Sequence, residues 1–101
     1  MIFVAGIMNM NPSDIPSFVA DYDAMRNDVL AEPGCHHYSL LVEDAPTGLV
    51  NVMEMWDDVD ALKVHLGTPH IAKFFAAHAP HMQASTVQVY HISGAEPLPG
   101  M

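Results

Sequence analysis

Apolar residues occupy nearly every position from 2 to 9, a run too short for a buried helix and closed by Asn11 and Pro12. Such a run fits a strand covered on both faces. The period then changes: Ile15, Phe18, Val19, Tyr22, Met25, Arg26, Val29 and Leu30 recur at helical spacing. Ser13 is placed to cap this helix, and Pro16 lies in the opening turn, where an amide has no intrahelical partner to lose. Glu32, Pro33 and Gly34 stop it.

Residues 36–43 form a second strand-like run, residues 44–48 a turn, and residues 49–56 a third strand, so the pair reads as a hairpin. Asp57 or Asp58 is positioned to cap a short helix with Val59, Leu62 and Leu66 on one stripe, ended by Gly67. Thr68 and Pro69 open another helical segment, whose stripe is Ile71, Phe74, Phe75 and His78 and whose end is Pro80. Residues 85–92 alternate and are rich in β-branched side chains, giving a fourth strand. The order β, α, β, β, α in two pieces, β predicts an α+β, ferredoxin-like domain with one four-stranded antiparallel sheet and helices on one face.

Strand alternation lets the two sheet faces be read separately. On the third strand Val50, Val52, Glu54 and Trp56 point one way and Leu49, Asn51, Met53 and Met55 the other. On the first, Ile2, Val4 and Met8 oppose Phe3, Ala5 and Ile7. Neither face is polar, and helices can cover only one. A homodimer is therefore expected, the second face meeting a second copy of the sheet. Composition agrees: only 15% of residues are charged, against about 25% in ordinary domains.

The 101 residues leave room for one domain, assigned to residues 1–92 with a Pro/Gly-rich tail at 93–101. Twelve acidic residues against Arg26, Lys63 and Lys73 give a net charge of −9. No basic patch can form, which argues against nucleic acid and anionic membranes as partners. No apolar run approaches the roughly 20 residues of a bilayer span, and the N-terminus lacks the features of a signal peptide. The single Cys35 fits a reducing compartment, so the cytoplasm is the expected location.

Three segments carry a resemblance: Glu32-Pro33-Gly34-Cys35 followed by Tyr38, Glu54-Met55-Trp56, and His65-Leu66-Gly67-Thr68-Pro69-His70. Over residues 2–92 the chain resembles the antibiotic biosynthesis monooxygenase (ABM) domain family, dimeric α+β barrels that include small quinol monooxygenases. The resemblance implies oxidation of phenols, hydroquinones or polyketide aromatics by molecular oxygen, without flavin, haem or metal. The family also contains haem-degrading members and an isomerase-like branch. The positions that carry over are Tyr38, Glu54, Trp56, His65 and His70. Where polyketide-oxidising members place a substrate-binding tyrosine this chain has Leu62, and where haem-degrading members place the iron ligand it has Phe75.

His65, at the edge of its apolar stripe, is the candidate catalytic base, since an imidazole with a pKa of about 6.5 can take a phenolic proton near neutrality. Glu54, on a strand with both faces covered, needs a partner or a raised pKa and is placed to orient a histidine. Trp56, Tyr38, His70 and Phe74 are the candidate substrate-binding residues, the aromatic ones as flat surfaces and Tyr38 as a hydrogen-bond donor. Each has a structural alternative: Trp56 and Phe74 as core, Tyr38 as rim packing, the histidines bonded to backbone or packed. No metal is expected, because the five-residue offset between His65 and His70, interrupted by Gly67, should make their side chains diverge. An isomerase acting on a small carbonyl compound and a non-catalytic ligand-binding dimer remain the rival readings.

Overall fold

The computed structural model describes all 101 residues. Strand β1 (Ile2–Met10), apolar on both faces, takes an interior place in the sheet. Helix α1 (Ile15–Leu30) leads to β2 (Cys35–Asp44) and β3 (Leu49–Trp56). The second helical unit is α2 (Val59–Leu66) followed by α3 (Pro69–His78), and the chain returns as β4 (Met82–Ser85) and β5 (Gln88–His91). All pairings are antiparallel, in the order β2-β3-β1-β4 with β5 also on β1. This is the expected ferredoxin-like arrangement, with its last strand in two pieces.

That division is a departure from the continuous strand expected at residues 85–92. Thr86 takes over the ladder locally: its amide donates to the Ile7 carbonyl at 2.9 Å and its hydroxyl accepts from the Ile7 amide at 3.1 Å. The crossing lies over Gly6, whose φ is +151° and where a Cβ would sit 2.7 Å from Val87 Cα. Only glycine fits there. The strand also starts earlier than expected, at Met82, because Met-Gln-Ala carries no β-branched signal.

Two caps differ in detail. Asn11, not Ser13, terminates the approach to α1: its Oδ1 accepts from the Ser13 amide at 3.1 Å and from the Ser13 hydroxyl at 2.9 Å, shaping a 3-10 turn over Pro12–Asp14. Of the two aspartates before α2, Asp58 is the cap, accepting from the Ala61 amide at 2.8 Å.

The helices cover the face formed by Ile2, Val4, Leu40, Val50, Val52 and Trp56, packing Phe18, Tyr22 and Val29 of α1 with Ile71 and Phe74 of α3 against it. His78 is buried against the Phe18 and Phe74 rings. Its Nδ1 lies 2.8 Å from Asp14 and its Nε2 2.7 Å from Asp21, which ties the end of α3 to the start of α1. The opposite sheet face has no cover within the chain. Phe3, Met53 and Met55 are only partly buried there, and Leu41 is 59% exposed. Residues 93–101 lie outside the sheet, and no helix is long and apolar enough to cross a membrane.

Gly6→Ala should destabilise the fold by at least about 1–3 kcal/mol through backbone strain and the clash with the crossing. Gly94→Ala, with nothing within 4 Å of its added Cβ, should stay within about 0.5 kcal/mol of the parent. Urea unfolding at one protein concentration measures both, and equal midpoints would show that the crossing makes no demand on position 6.

Candidate active site

Between the helix-covered sheet face and the α2–α3 unit lies a cavity of about 360 Å³. Val4, Leu40, Val52, Leu62 and Val87 form an apolar wall, and Tyr38, Glu54 and His65 supply its principal polar groups. Leu66 and Phe75, read from the sequence as members of core stripes, are each 48% exposed and line this space instead. A mostly apolar cavity of this size with a few convergent polar groups suits a small organic molecule.

His65 ends α2 with its side chain only 2% exposed. Its Nδ1 sits 3.1 and 3.0 Å from the two carboxylate oxygens of Glu32, and its Nε2 has no hydrogen-bond partner in the chain. The ring packs on Trp56, centroids 4.5 Å apart, and edge-on to Tyr38 at 5.5 Å. A carboxylate can only accept here, so the imidazole carries its proton on Nδ1 and leaves the Nε2 lone pair free. Burial pulls the His65 pKa down and so favours the neutral ring, while Glu32 opposes the shift.

Local chain geometry explains how Glu32 arrives. The turn after α1 passes through Gly34 at φ +81°, where a Cβ would lie 2.8 Å from the Ala61 Cβ, so the turn lies tight against α2. At the other end, the Thr68 hydroxyl donates to the His65 carbonyl at 2.7 Å and the Thr68 amide to the same oxygen at 3.1 Å. This link redirects the chain into α3 and brings His70 back toward the same carboxylate, Nε2 to Oε2 being 2.8 Å. The divergence expected of His65 and His70 is thus overturned. That expectation extended one helical period across Gly67, whereas the axis changes direction there.

Glu54 faces the cavity with its Oε1 accepting from Trp56 Nε1 at 3.0 Å. Burial pushes its pKa up to about 7, with the Glu32 charge adding and the Trp56 bond opposing. Burial, reinforced by Glu54, also raises the Tyr38 pKa, so its hydroxyl stays protonated. The carboxylate that grips His65 is therefore Glu32; Glu54 instead bonds the indole.

Of the sequence candidates, His65, Glu54 and Tyr38 line the cavity together. Trp56 is fully buried beneath them, bonded to Glu54 and stacked near His65. Phe74 packs against Phe18 and His78, away from the cavity. His70 borders a different space of about 240 Å³ that it shares with Asp21, Asp28 and Lys73. Sequence reading missed Glu32 as a functional group and treated it as part of a helix stop. The available signal was an acidic residue fixed by Pro33-Gly34 in a chain with seven histidines and only three Lys or Arg.

The family model for antibiotic biosynthesis monooxygenase matches residues 1–77, a stretch that contains Glu32, Tyr38, Glu54 and His65. The chain belongs to the antibiotic biosynthesis monooxygenase (ABM) family. Among solved structures, an antibiotic biosynthesis monooxygenase aligns with TM-score 0.80 at 25% identity, covering 93% of this chain and 100% of its own. Rv0793 from Mycobacterium tuberculosis aligns with TM-score 0.79 at 26% identity, covering 95% of this chain and 98% of its own. The uncharacterized protein sll1783 of Synechocystis is 26% identical over 99 residues, which span 96% of this chain and 67% of the Synechocystis protein. In this ABM-family chain the segment that completes the cavity, Val87 in the crossing and Val89 in β5, lies beyond the matched residues.

The Glu54 shift has a definite sign in stability. Between its ordinary value of 4.5 and about 7, the folded state holds a proton that the unfolded state has lost. Stability therefore falls as pH rises through that window, by an amount on the order of 3 kcal/mol. Glu54→Gln should lack this loss, so the difference between variant and parent should grow in the variant's favour from pH 4.5 to 7. Urea unfolding across that range reads it, and parallel pH profiles would rule out a protonated, buried Glu54.

Proposed function

We propose that this ABM-family protein is a cofactor-independent monooxygenase that converts a small phenolic or hydroquinone-like compound to a quinone with molecular oxygen, acting as a cytoplasmic homodimer. The observation that carries the reading is the free Nε2 of His65 at an apolar cavity, with Nδ1 anchored on a buried carboxylate. The substrate hydroxyl gives its proton to Nε2, and Glu32 stabilises the imidazolium that forms. Enclosed by Val4, Leu40, Val52 and Leu62, the phenolate loses the water that would otherwise stabilise it and becomes a stronger one-electron donor. One electron passes to oxygen, and the radical pair collapses to a carbon-bound peroxide anion. Loss of water, using the hydrogen of that carbon and the proton held on His65, leaves the quinone.

The balance closes without an added reductant. One oxygen atom becomes the new carbonyl and the other leaves in water, and all four electrons come from the substrate. Tyr38, with its hydroxyl kept protonated, and Glu54, protonated below about pH 7, are placed to donate hydrogen bonds to substrate oxygens. Pairing of two copies is supported by the uncovered sheet face, where Phe3, Met53, Met55 and the exposed Ile7, Leu41 and Tyr90 form an apolar surface too broad for a solitary soluble chain.

Hydroquinones, naphthols and small carbonyl compounds should be screened under air and under nitrogen, following oxygen uptake and product mass. Oxygen-dependent turnover is expected, with His65→Ala lowering kcat by at least about 100-fold. Turnover that persists under nitrogen indicates isomerisation instead, and an unaffected His65→Ala removes the base. In sedimentation at micromolar concentration the parent should run as a dimer and Leu41→Lys as a monomer; a monomeric parent leaves the open face without its proposed cover.

A further inference from the structure

Glu32 is a carboxylate with only 8% of its side chain exposed, yet no lysine or arginine pairs with it. All six ion pairs in the chain join a histidine to an acid. A buried carboxylate without a permanent countercharge is costly to desolvate. What faces Glu32 is a pair of imidazole nitrogens, His65 Nδ1 at 3.0 Å and His70 Nε2 at 2.8 Å from Oε2. One donor atom from each of the three residues lies within 4.8 Å of the others. They come from separate anchored places: the turn after α1, the last turn of α2 and the first turn of α3.

We propose that Glu32, His65 and His70 form a binding site for a divalent transition metal of the zinc type, and that its occupancy silences His65 as a base. Two nitrogens and one carboxylate oxygen, with a fourth position left to water, make a donor set that zinc accepts in four-coordinate sites. Donors about 2.0–2.2 Å from such an ion stand about 3.4 Å from one another. The Glu32 to histidine distances therefore need to open by only about half an ångström, while the two imidazoles draw together. Nitrogen donors select zinc, cobalt, nickel or copper over magnesium and calcium, which prefer all-oxygen surroundings. Access is available from the side of His70, whose side chain is 29% exposed and borders the cavity lined by Asp21 and Asp28. The net charge of −9 draws cations toward the chain.

The inhibitory half rests on the function proposed above; the binding half does not. A metal on Nδ1 takes the lone pair of that nitrogen, and the single proton of the neutral ring then resides on Nε2. The nitrogen facing the substrate cavity becomes a donor and can no longer accept a proton. Base and metal site thus need opposite tautomers of one imidazole, so they exclude each other.

Chelator-treated protein, cleared of chelator, should be titrated with Co²⁺ and then Zn²⁺. One equivalent of Co²⁺ per chain is expected to bind with the visible absorption of four-coordinate cobalt and to be displaced by Zn²⁺. Glu32→Gln and His70→Ala should each weaken binding tenfold or more, with His70→Gln as a second variant should the alanine form fold poorly. His36→Ala, remote from the cluster and paired with Asp57, should bind as the parent does. Absence of a stoichiometric cobalt signal, or binding that survives both Glu32→Gln and His70→Ala, overturns the site and assigns any uptake to scattered surface histidines. In oxygen uptake, Zn²⁺ should inhibit the parent and fail to inhibit whatever turnover His70→Ala retains. His65-dependent turnover in a protein that binds no cobalt would defeat the metal site while leaving the base intact. Cobalt binding in a protein without turnover would do the reverse.

Discussion

The position of β1 in the sheet constrains everything built on it. The strand is apolar on both faces and pairs along both edges, with β3 on one side and with β4 and β5 on the other. Its even-numbered side chains, Ile2, Val4 and Met10, are buried under the helices, while Phe3, Ala5 and Ile7 face outward with no cover from the chain. An apolar floor under helices that do not fill the space above it leaves the cavity at Val4 and Val52. The same floor, seen from behind, is the apolar face that the chain itself leaves uncovered, the face proposed to meet a second copy.

Chemistry enters that floor at one point, the meeting of Glu32 with His65. A neutral imidazole in an apolar wall has no preferred tautomer and no fixed orientation until its second nitrogen finds an acceptor. Glu32 provides one, Trp56 braces the ring from below, and the free nitrogen is left to the cavity. Glu54, facing the cavity, is held by the Trp56 indole, and burial pushes its pKa up to about 7. Two carboxyl groups in one site thereby take different roles: one faces two nitrogens that can share its charge, and the other faces an apolar cavity.

The ion pairs follow one pattern, buried and exposed alike. With the three cationic side chains absent from every ion pair, the histidines serve as the partners of acids: His65 and His70 on Glu32, His78 on Asp14 and Asp21, His36 on Asp57. Histidine is a partner that can be neutral, charged or metal-bound. Histidine opposite the buried Glu32 and Asp14 leaves their charge balance dependent on the protonation of the ring, where a lysine or arginine would have fixed the charge.

Hydrophobic period and punctuation by themselves determined the helices, the first three strands, the order of elements, the ferredoxin-like sheet and the apolar character of both its faces, because these depend on neighbours a few residues apart, but not the division of the last strand over Gly6. Alternation also put Glu54 on the same face as Trp56, and the helix stripe put His65 at an edge from which it can reach a space above the sheet, where both line the cavity. Tertiary structure alone decided that Glu32 partners His65, that His70 turns back to the same carboxylate, and that Phe74 belongs to the core while Phe75 lines the cavity. Those outcomes depend on the direction of α3 after Gly67 and on the tight passage of Gly34 against Ala61. Residues 33 and 38 positions apart meet only when separate elements have been packed, and no local periodicity carries that information.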